Sequence, residues 1–242
     1  MRMLTLSRRT AREILRDPLS VAFGLGFPLV LIFLLSAIQA NVPVSLFEIK
    51  MLTPGITVFG LAFISLFAAT LIARDRETAL LERLYTTQLT APDFIFGYAL
   101  PLLPIAAAQC AVCYIAAFFL GLKLTVTVIY AVLFIIPVSV VFIALGLLCG
   151  SVLNVKQVGG VCGALLTNLT AWLSGVWFDL ELVCGAFKKI AYLLPFVHAV
   201  ELERAVLYGN YSKIMPHLLW VLGYSAVLFA LAVLMFLKQM KK

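Results

Sequence analysis

Seven charged side chains lie together in residues 72–98, in a chain of which only 12% of the residues are charged. These residues are Arg74, Asp75, Arg76, Glu77, Glu82, Arg83 and Asp93. Arginines and carboxylates grouped in this way can form ion pairs with the surface of a partner. We find near them no paired carboxylates, histidine cluster or nucleophile–base set of the kind that catalysis requires. The segment therefore predicts a binding surface.

The other reactive side chains give no chemical site either. Cys110 and Cys113 are three residues apart, but no second pair of ligands follows them, and both histidines are distant in sequence. Most of the five cysteines fall within apolar runs, where a thiol acts as a small hydrophobic group. We expect no metal site. The chain also contains no phosphate-binding loop, so a separate subunit would have to bind any ATP.

The composition is that of a membrane protein. The 242 residues are 64% hydrophobic, and the mean hydropathy is +1.11. In a soluble protein, the net charge of +7 would suggest nucleic acid as a partner. Here the basic residues lie in short loops and at the termini, which favours contact with anionic lipid headgroups instead.

Six runs of about 20 apolar residues predict six transmembrane helices in a single domain, residues 1–242. They cover residues 18–40, 54–73, 94–120, 126–150, 158–177 and 217–237. A proline follows an N-cap residue at Asp17-Pro18 and at Thr53-Pro54, as at many helix starts. The interiors of the spans contain no Asp, Glu, Lys, Arg or His, which disfavours a proton relay, although sodium binding by backbone carbonyls stays open.

Two further patterns concern orientation and packing. About two thirds of the 18 lysines and arginines lie on the side of the termini and residues 74–83, which places both termini in the cytoplasm. Two glycine pairs, Gly146 with Gly150 and Gly159 with Gly163, permit close approach of another helix, either within one subunit or between two subunits.

Residues 4–16 predict an amphipathic helix lying in the membrane interface. Arg8, Arg12 and Arg16 recur at every fourth position. Another face carries apolar residues, namely Leu4, Ala11, Ile14 and Leu15. The alternative is a polar N-terminus without a membrane role.

Residues 74–85 predict a second helix that does not span the membrane. Leu80 and Leu84 lie four residues apart, as do Leu81 and Tyr85, which gives one largely apolar stripe with charges around it. Moving the three arginines of this segment into the bilayer would cost about 8–10 kcal/mol, so the helix should stay at the surface. An apolar stripe with a charged rim is typical of a helix that docks in a groove. The alternative is a solvated loop whose leucines face lipid.

The sequence RETALLERLYTTQLTAPDFIFGYALP, residues 76–101, resembles the loop and following helix of type-2 ABC exporter permeases. The matching residues are Arg76, Glu77, Leu81, Glu82, Arg83, Leu84, Gly97, Tyr98 and Pro101. Ala79 and Leu80 stand where these permeases commonly have glycine and threonine.

A second stretch, LSGVWFDLELVCGAFKKIAYLLPFVHAVELERAVLYG, resembles the segment after the fifth helix of the same family. The matching residues are Ser174, Gly175, Phe178, Leu194, Pro195, His198, Ala199, Val200, Glu201 and Arg204. Asp179 and Cys184 stand where proline is frequent. The two stretches, in this order and with six spans, cover nearly the whole chain.

The resemblance implies an all-α transmembrane domain of an ABC exporter. In that family residues 4–16 would be the elbow helix, with Arg8, Arg12 and Arg16 at the interface. Residues 74–85 would be the coupling helix that contacts the ATPase subunit, through Arg76, Glu77, Leu80, Leu81, Glu82, Arg83 and Leu84. Residues 178–210 would form short re-entrant helices, and the outer gate would contain Ser174, Gly175, Phe178, Pro195, His198, Glu201 and Arg204.

The resemblance also implies the partners and the location. Two copies of an ABC ATPase subunit would bind ATP and Mg²⁺, and a second copy of the chain or a homologous permease would complete the pathway. The complex would lie among the lipids of a bacterial plasma membrane.

The residues themselves add two expectations. His198, Glu201 and Arg204 form a polar stripe opposite Phe196, Val200 and Leu207, which predicts a helix half-sunk in the outer leaflet. Walls rich in apolar and aromatic side chains favour a hydrophobic or amphiphilic cargo, such as a drug, a peptide antibiotic or a lipid. A secondary transporter, a membrane scaffold and a transferase are the alternatives.

Overall fold

The structure is a computed structural model that describes residues 2–18, 22–42, 44–78, 90–183 and 185–240. Within these ranges it is helical, with no strand. The α-helices are α1 (Arg2–Arg16), α2 (Phe27–Asn41), α3 (Ile49–Glu77), α4 (Ala91–Ala99), α5 (Leu102–Phe119), α6 (Val126–Val152), α7 (Val155–Val158), α8 (Thr167–Leu173), α9 (Ala186–Leu193), α10 (Pro195–Tyr208) and α11 (Tyr211–Met240). Two π-helical segments, Ala22–Gly26 and Gly159–Leu166, precede α2 and α8, and Ser45–Phe47 and Leu180–Leu182 are short 3₁₀ turns.

Five helical segments of the described chain are long and apolar enough to cross a membrane. They are Ala22–Asn41, Ile49–Glu77, Ala91–Phe119, Val126–Val152 and Tyr211–Lys238. The prediction of an all-α, multi-pass membrane protein is therefore confirmed. The predicted span over residues 158–177 falls on α7, the π-helical segment and α8, which are not among the five, so it stays a prediction.

The start of α3 differs from the prediction. The helix begins at Ile49, so Pro54 lies inside it and not at its first position. Proline has no N–H, and its ring disturbs the helical hydrogen bonds of the preceding turn. The Thr53 and Thr57 hydroxyls donate to Ile49 O at 2.7 Å and Pro54 O at 2.8 Å, which supplies hydrogen bonds at this turn.

Helix α3 is the centre of the bundle. Its apolar span is 83% buried, against 17% for α11. Helix α6 lies directly against it, because a Cβ atom at Gly146 would come within 2.3 Å of Ser65 O, and one at Gly150 within 2.6 Å of Ala69 O. These two glycines therefore serve close packing within the subunit, which decides between the two uses that their spacing left open.

Helix α1 packs on α4 through a face that shares only Ile14 with the predicted one. Leu6, Thr10 and Ile14 are buried at four-residue intervals, whereas Leu4 and Leu15 are 57% and 71% exposed. Gly97 of α4 allows this contact, since a Cβ atom there would lie 2.7 Å from Leu6 Cδ2. The arginine stripe of Arg8, Arg12 and Arg16 is exposed, as the spacing predicts.

Helix α10 lies in the interior, so the expectation of a helix half-sunk in the outer leaflet is wrong. His198 and Arg204 of the predicted polar stripe are buried, and Glu201 is half-buried. The helix packs against α3, α6 and α11, and its polar groups bind backbone carbonyls and neighbouring side chains instead of facing water or headgroups.

Candidate coupling site

The last turn of α3 carries a buried ion pair that joins it to α1 and α4. Asp75 is 3% exposed. The Arg9 guanidinium of α1 donates to both oxygens of this carboxylate, from Nη1 to Oδ2 at 2.6 Å and from Nη2 to Oδ1 at 2.8 Å. The hydroxyl of Tyr98, on α4, donates to Oδ2 at 2.5 Å. Asp75 is thus the point where three helices meet, and the expectation that it faces water or a partner is wrong.

Electrostatics favour this arrangement. Hydrogen bonding to Asp75 raises the pKa of the Arg9 guanidinium, so Arg9 stays charged. Glu13 lies one turn further along α1 and accepts a bond from Arg9 Nη2 at 2.8 Å. Partial burial raises the pKa of the Glu13 carboxyl. The bidentate geometry between Arg9 and Asp75 is the strong, directional form of an ion pair.

The next two residues bind the connection between α6 and α7. Arg76 Nη1 donates to Gly150 O at 3.0 Å and to Leu153 O at 3.1 Å, which satisfies carbonyls at the C-terminus of α6. Glu77 Oε1 accepts from the N–H of Val155 at 3.0 Å, at the first residue of α7. Arg76 and Glu77 therefore bind their own chain in this conformation.

Together these contacts define a candidate coupling site, which comprises Arg9, Asp75, Arg76, Glu77 and Tyr98. The site fixes the last turn of α3 to α1, to α4 and to the α6–α7 connection through directional bonds. A force applied to the chain just after Glu77 would reach all these elements at once. Of the residues expected to face outward here, Arg74 does so, because its side chain is 54% exposed and lies 3.8 Å from Asp17.

The remaining residues predicted for coupling lie outside the described residues. These are Leu80, Leu81, Glu82, Arg83 and Leu84, within residues 79–89. Their predicted role as an apolar stripe with a charged rim stays a prediction.

At the opposite end, two residues predicted for the outer gate meet around Arg204. Its Nη1 donates to Glu201 Oε1 at 3.0 Å, and its Nη2 donates to Gly175 O at 3.1 Å. Nε donates to Met51 O at 3.4 Å, in the turn of α3 just before Pro54. The guanidinium thus links α10 both to the chain after α8 and to the beginning of α3.

His198 makes a separate set of contacts, with α9 and α11. Its Nε2 lies 2.9 Å from Tyr192 O and its Nδ1 lies 2.9 Å from His217 Nδ1. A carbonyl oxygen can only accept, so Nε2 donates to Tyr192, and the neutral His198 ring accepts at Nδ1 from His217. The ring stacks on Trp220 with centroids 4.8 Å apart. Burial lowers the pKa of the His198 imidazole.

The other residues predicted for the outer gate are dispersed. Ser174 is buried, and Phe178 packs on Phe187 with ring centroids 6.2 Å apart. Pro195 occupies the first turn of α10. Gly175 has a φ of +71°, a backbone conformation that favours glycine and lets its carbonyl face Arg204. The structure therefore separates these residues into two clusters.

Three candidate residues, Arg9, Asp75 and Glu203, were not predicted from the sequence. Arg9 is the one arginine in residues 8–16 that departs from the four-residue repeat, and this departure could have indicated a separate role for it. Asp75 gave no signal, since its burial depends on α1 and α4 folding over it. Glu203 lies on the apolar face of α10, four residues before Leu207 and three after Val200, so the period of the helix could have identified it.

Comparison with known proteins adds one finding. The family model described as ABC-2 type transporter matches residues 1–208, which include α1, the candidate coupling site and α10. No curated protein matches the chain.

Proposed function

Because the chain belongs to the ABC-2 type transporter family, we propose that this multi-pass ABC permease is one subunit of an ATP-driven exporter. Membrane domains of this family generally work with ABC ATPase partners. The observation that supports the coupling role is the set of bonds from Asp75, Arg76 and Glu77 to α1, α4 and the α6–α7 connection.

The proposed cycle begins in the partner. Two ATPase subunits bind ATP and Mg²⁺ and close on each other, which displaces the segment that follows Glu77 in each permease. Since the last turn of α3 is bound to three neighbours, the displacement moves α1, α4 and the α6–α7 connection together with α3. This chain supplies no nucleotide chemistry in the cycle. Its own residues transmit the movement to the central helix.

A hydrophobic or amphiphilic cargo fits the surfaces of the subunit. A cavity of about 330 Å³ lies beside α1, and it is lined by Ala11, Ile14, Leu15, Gly24, Leu25, Phe67, Pro101, Pro104, Ile105 and Ala108. None of these residues carries a charge or a polar side chain. A drug, a peptide antibiotic or a lipid matches such a lining, whereas a small ion does not.

The proposal includes a second permease, either another copy of this chain or a homologue, in a bacterial plasma membrane. The candidate spans Ala22–Asn41 and Tyr211–Lys238 have the smallest buried shares among the candidate spans, at 28% and 17%. In a membrane such surfaces face lipid or another membrane subunit.

The experiment exchanges two charges without changing the net charge. The double variant Glu82→Lys/Arg83→Glu should insert into the membrane normally but lose the ATPase subunit on purification, and with it transport in vesicles. Lys123→Ala is the control, since Lys123 is exposed at the opposite end of the bundle. Transport at the level of the control would contradict the coupling role.

Two further measurements separate the alternatives. Transport that follows a proton or sodium gradient without any ATPase would favour a secondary transporter. Absence of cargo-stimulated ATP hydrolysis in the reconstituted complex would favour a scaffold.

A further inference from the structure

Glu203 is a carboxylic acid on the apolar face of an interior helix. It shares that face of α10 with Val200 and Leu207, and it is 0% exposed. It lies outside the family motif that first identified this segment, in which Glu201 and Arg204 are the matching charged residues. The coupling site and the contacts of Arg204 and His198 leave it unused.

Neither oxygen of the Glu203 carboxyl has a hydrogen-bond partner among the described residues. The adjacent Arg204 does not reach it, because that guanidinium is bound to Glu201, Gly175 and Met51. An ionised carboxylate in such a place would lose its hydration with nothing to replace it.

Among the described residues, the polar groups that act electrostatically with Glu203 are uncharged. From α5, the Tyr114 hydroxyl and the Cys110 thiol lie within electrostatic range of the carboxyl. The Tyr114 hydroxyl is itself buried, and it has no hydrogen-bond partner in the part of the chain that the structure describes.

The other charged or titratable groups that contact α10 face its two ends. Lys50, of α3, lies 4.3 Å from the centre of the Tyr208 ring, and His217, of α11, contacts His198. Among the described residues of α3, α6 and α11, none acts electrostatically on Glu203. Burial alone therefore raises the pKa of the Glu203 carboxyl well above its ordinary value.

We propose that Glu203 is a proton-binding site of this permease, protonated while it lies buried beside Tyr114 and deprotonated when α10 moves and admits water. In the release step the O–H bond of the carboxyl breaks, the proton passes to water, and the carboxylate keeps the electron pair. No other reactant takes part. Acidic conditions then favour the arrangement in which α10 is packed against α3, α6 and α11, and alkaline conditions favour the hydrated one.

The sign of the pH dependence follows from the raised pKa. The folded pKa lies above the unfolded value, so the contribution of Glu203 to stability is fully present below about pH 4.5 and is lost as the pH rises through the folded pKa. Glu203→Gln keeps the shape of the neutral acid and cannot ionise, which should remove this loss. Glu201→Gln is the matched control, since Glu201 lies on the same helix and is paired with Arg204.

The test measures the infrared carbonyl band of protonated carboxylic acids, with the full-length chain in lipid vesicles at neutral pH. The band should be present in the wild type and in Glu201→Gln, and it should be lost in Glu203→Gln. In the wild type the band should disappear reversibly when the pH is raised, because the carboxyl then ionises. This measurement requires no variant. The midpoint of thermal unfolding should fall more steeply with rising pH in the wild type than in Glu203→Gln.

Three results would overturn the proposal: a band that persists unchanged in Glu203→Gln, a wild type without the band at neutral pH, or equal pH dependence of unfolding in the two proteins. If Glu203→Gln does not fold, Glu203→Met replaces it as a neutral side chain of similar length, with the same expectation. None of these measurements involves the ATPase subunit, so the result is independent of the proposed coupling mechanism.

Discussion

Removing the carboxylate at Asp75 should break the bonds that join the last turn of α3 to α1 and α4. In Asp75→Ala, the fully buried Tyr98 hydroxyl loses its acceptor, and an unsatisfied buried donor costs about 1–3 kcal/mol. The Arg9 side chain is 37% exposed and remains paired with Glu13, so loss of the Arg9–Asp75 ion pair should cost about as much as loss of a surface ion pair, about 0–1 kcal/mol. The free energy of unfolding should therefore fall by about 1–4 kcal/mol, mostly through Tyr98.

The assay is denaturant titration in mixed micelles, followed by tryptophan fluorescence. Asp75→Asn keeps an acceptor for Tyr98 and should cost less than Asp75→Ala. In a Tyr98→Phe background the cost of Asp75→Ala should fall to about 0–1 kcal/mol, because no buried hydroxyl is left unpaired. Arg74→Ala, at an exposed pair 3.8 Å long, is the control and should change stability by about 0.5 kcal/mol or less. An equal cost of Asp75→Ala in both backgrounds would refute the reasoning.

Three further predictions use the same unfolding assay. Arg76→Ala should lower the free energy of unfolding by about 1–3 kcal/mol, since two carbonyls lose a charged donor; no loss would mean that solvent replaces it. Gly146→Ala should lower the free energy of unfolding by about 1–3 kcal/mol, because the added methyl group would overpack against the backbone of α3. Gly223→Ala, where the added methyl group meets open space, should be neutral or stabilising. Similar effects of the two substitutions would contradict the close packing of α3 and α6. Burial lowers the pKa of the His198 imidazole, so its contribution to stability should be present above about pH 6.5 and be lost as the pH falls through the lowered folded pKa. His198→Gln should remove this loss of stability in acid. An unchanged acid profile in this variant would exclude His198 as the source of the acid sensitivity.

Apolar periodicity and charge were sufficient to predict a multi-pass helical membrane protein. A run of about 20 apolar residues has few stable alternatives to a transmembrane helix, because the bilayer leaves no partner for unpaired backbone groups. The family could also be predicted from the sequence, because each of its two motifs is a continuous stretch of the chain. The position of the exposed arginine stripe on α1 also follows from local spacing alone.

The sequence by itself determined that the chain is a multi-pass helical protein and that the stripe of Arg8, Arg12 and Arg16 is exposed, because both depend on neighbours within a few turns. Only the tertiary structure decided that Asp75 is buried, that Arg76 and Glu77 bind their own chain, and that α10 lies inside the bundle. Each of those outcomes depends on a partner far away in sequence, as with Arg9 and Asp75, 66 residues apart. A charge looks the same in sequence whether it faces water or a distant arginine, and the packing of other helices decides between the two.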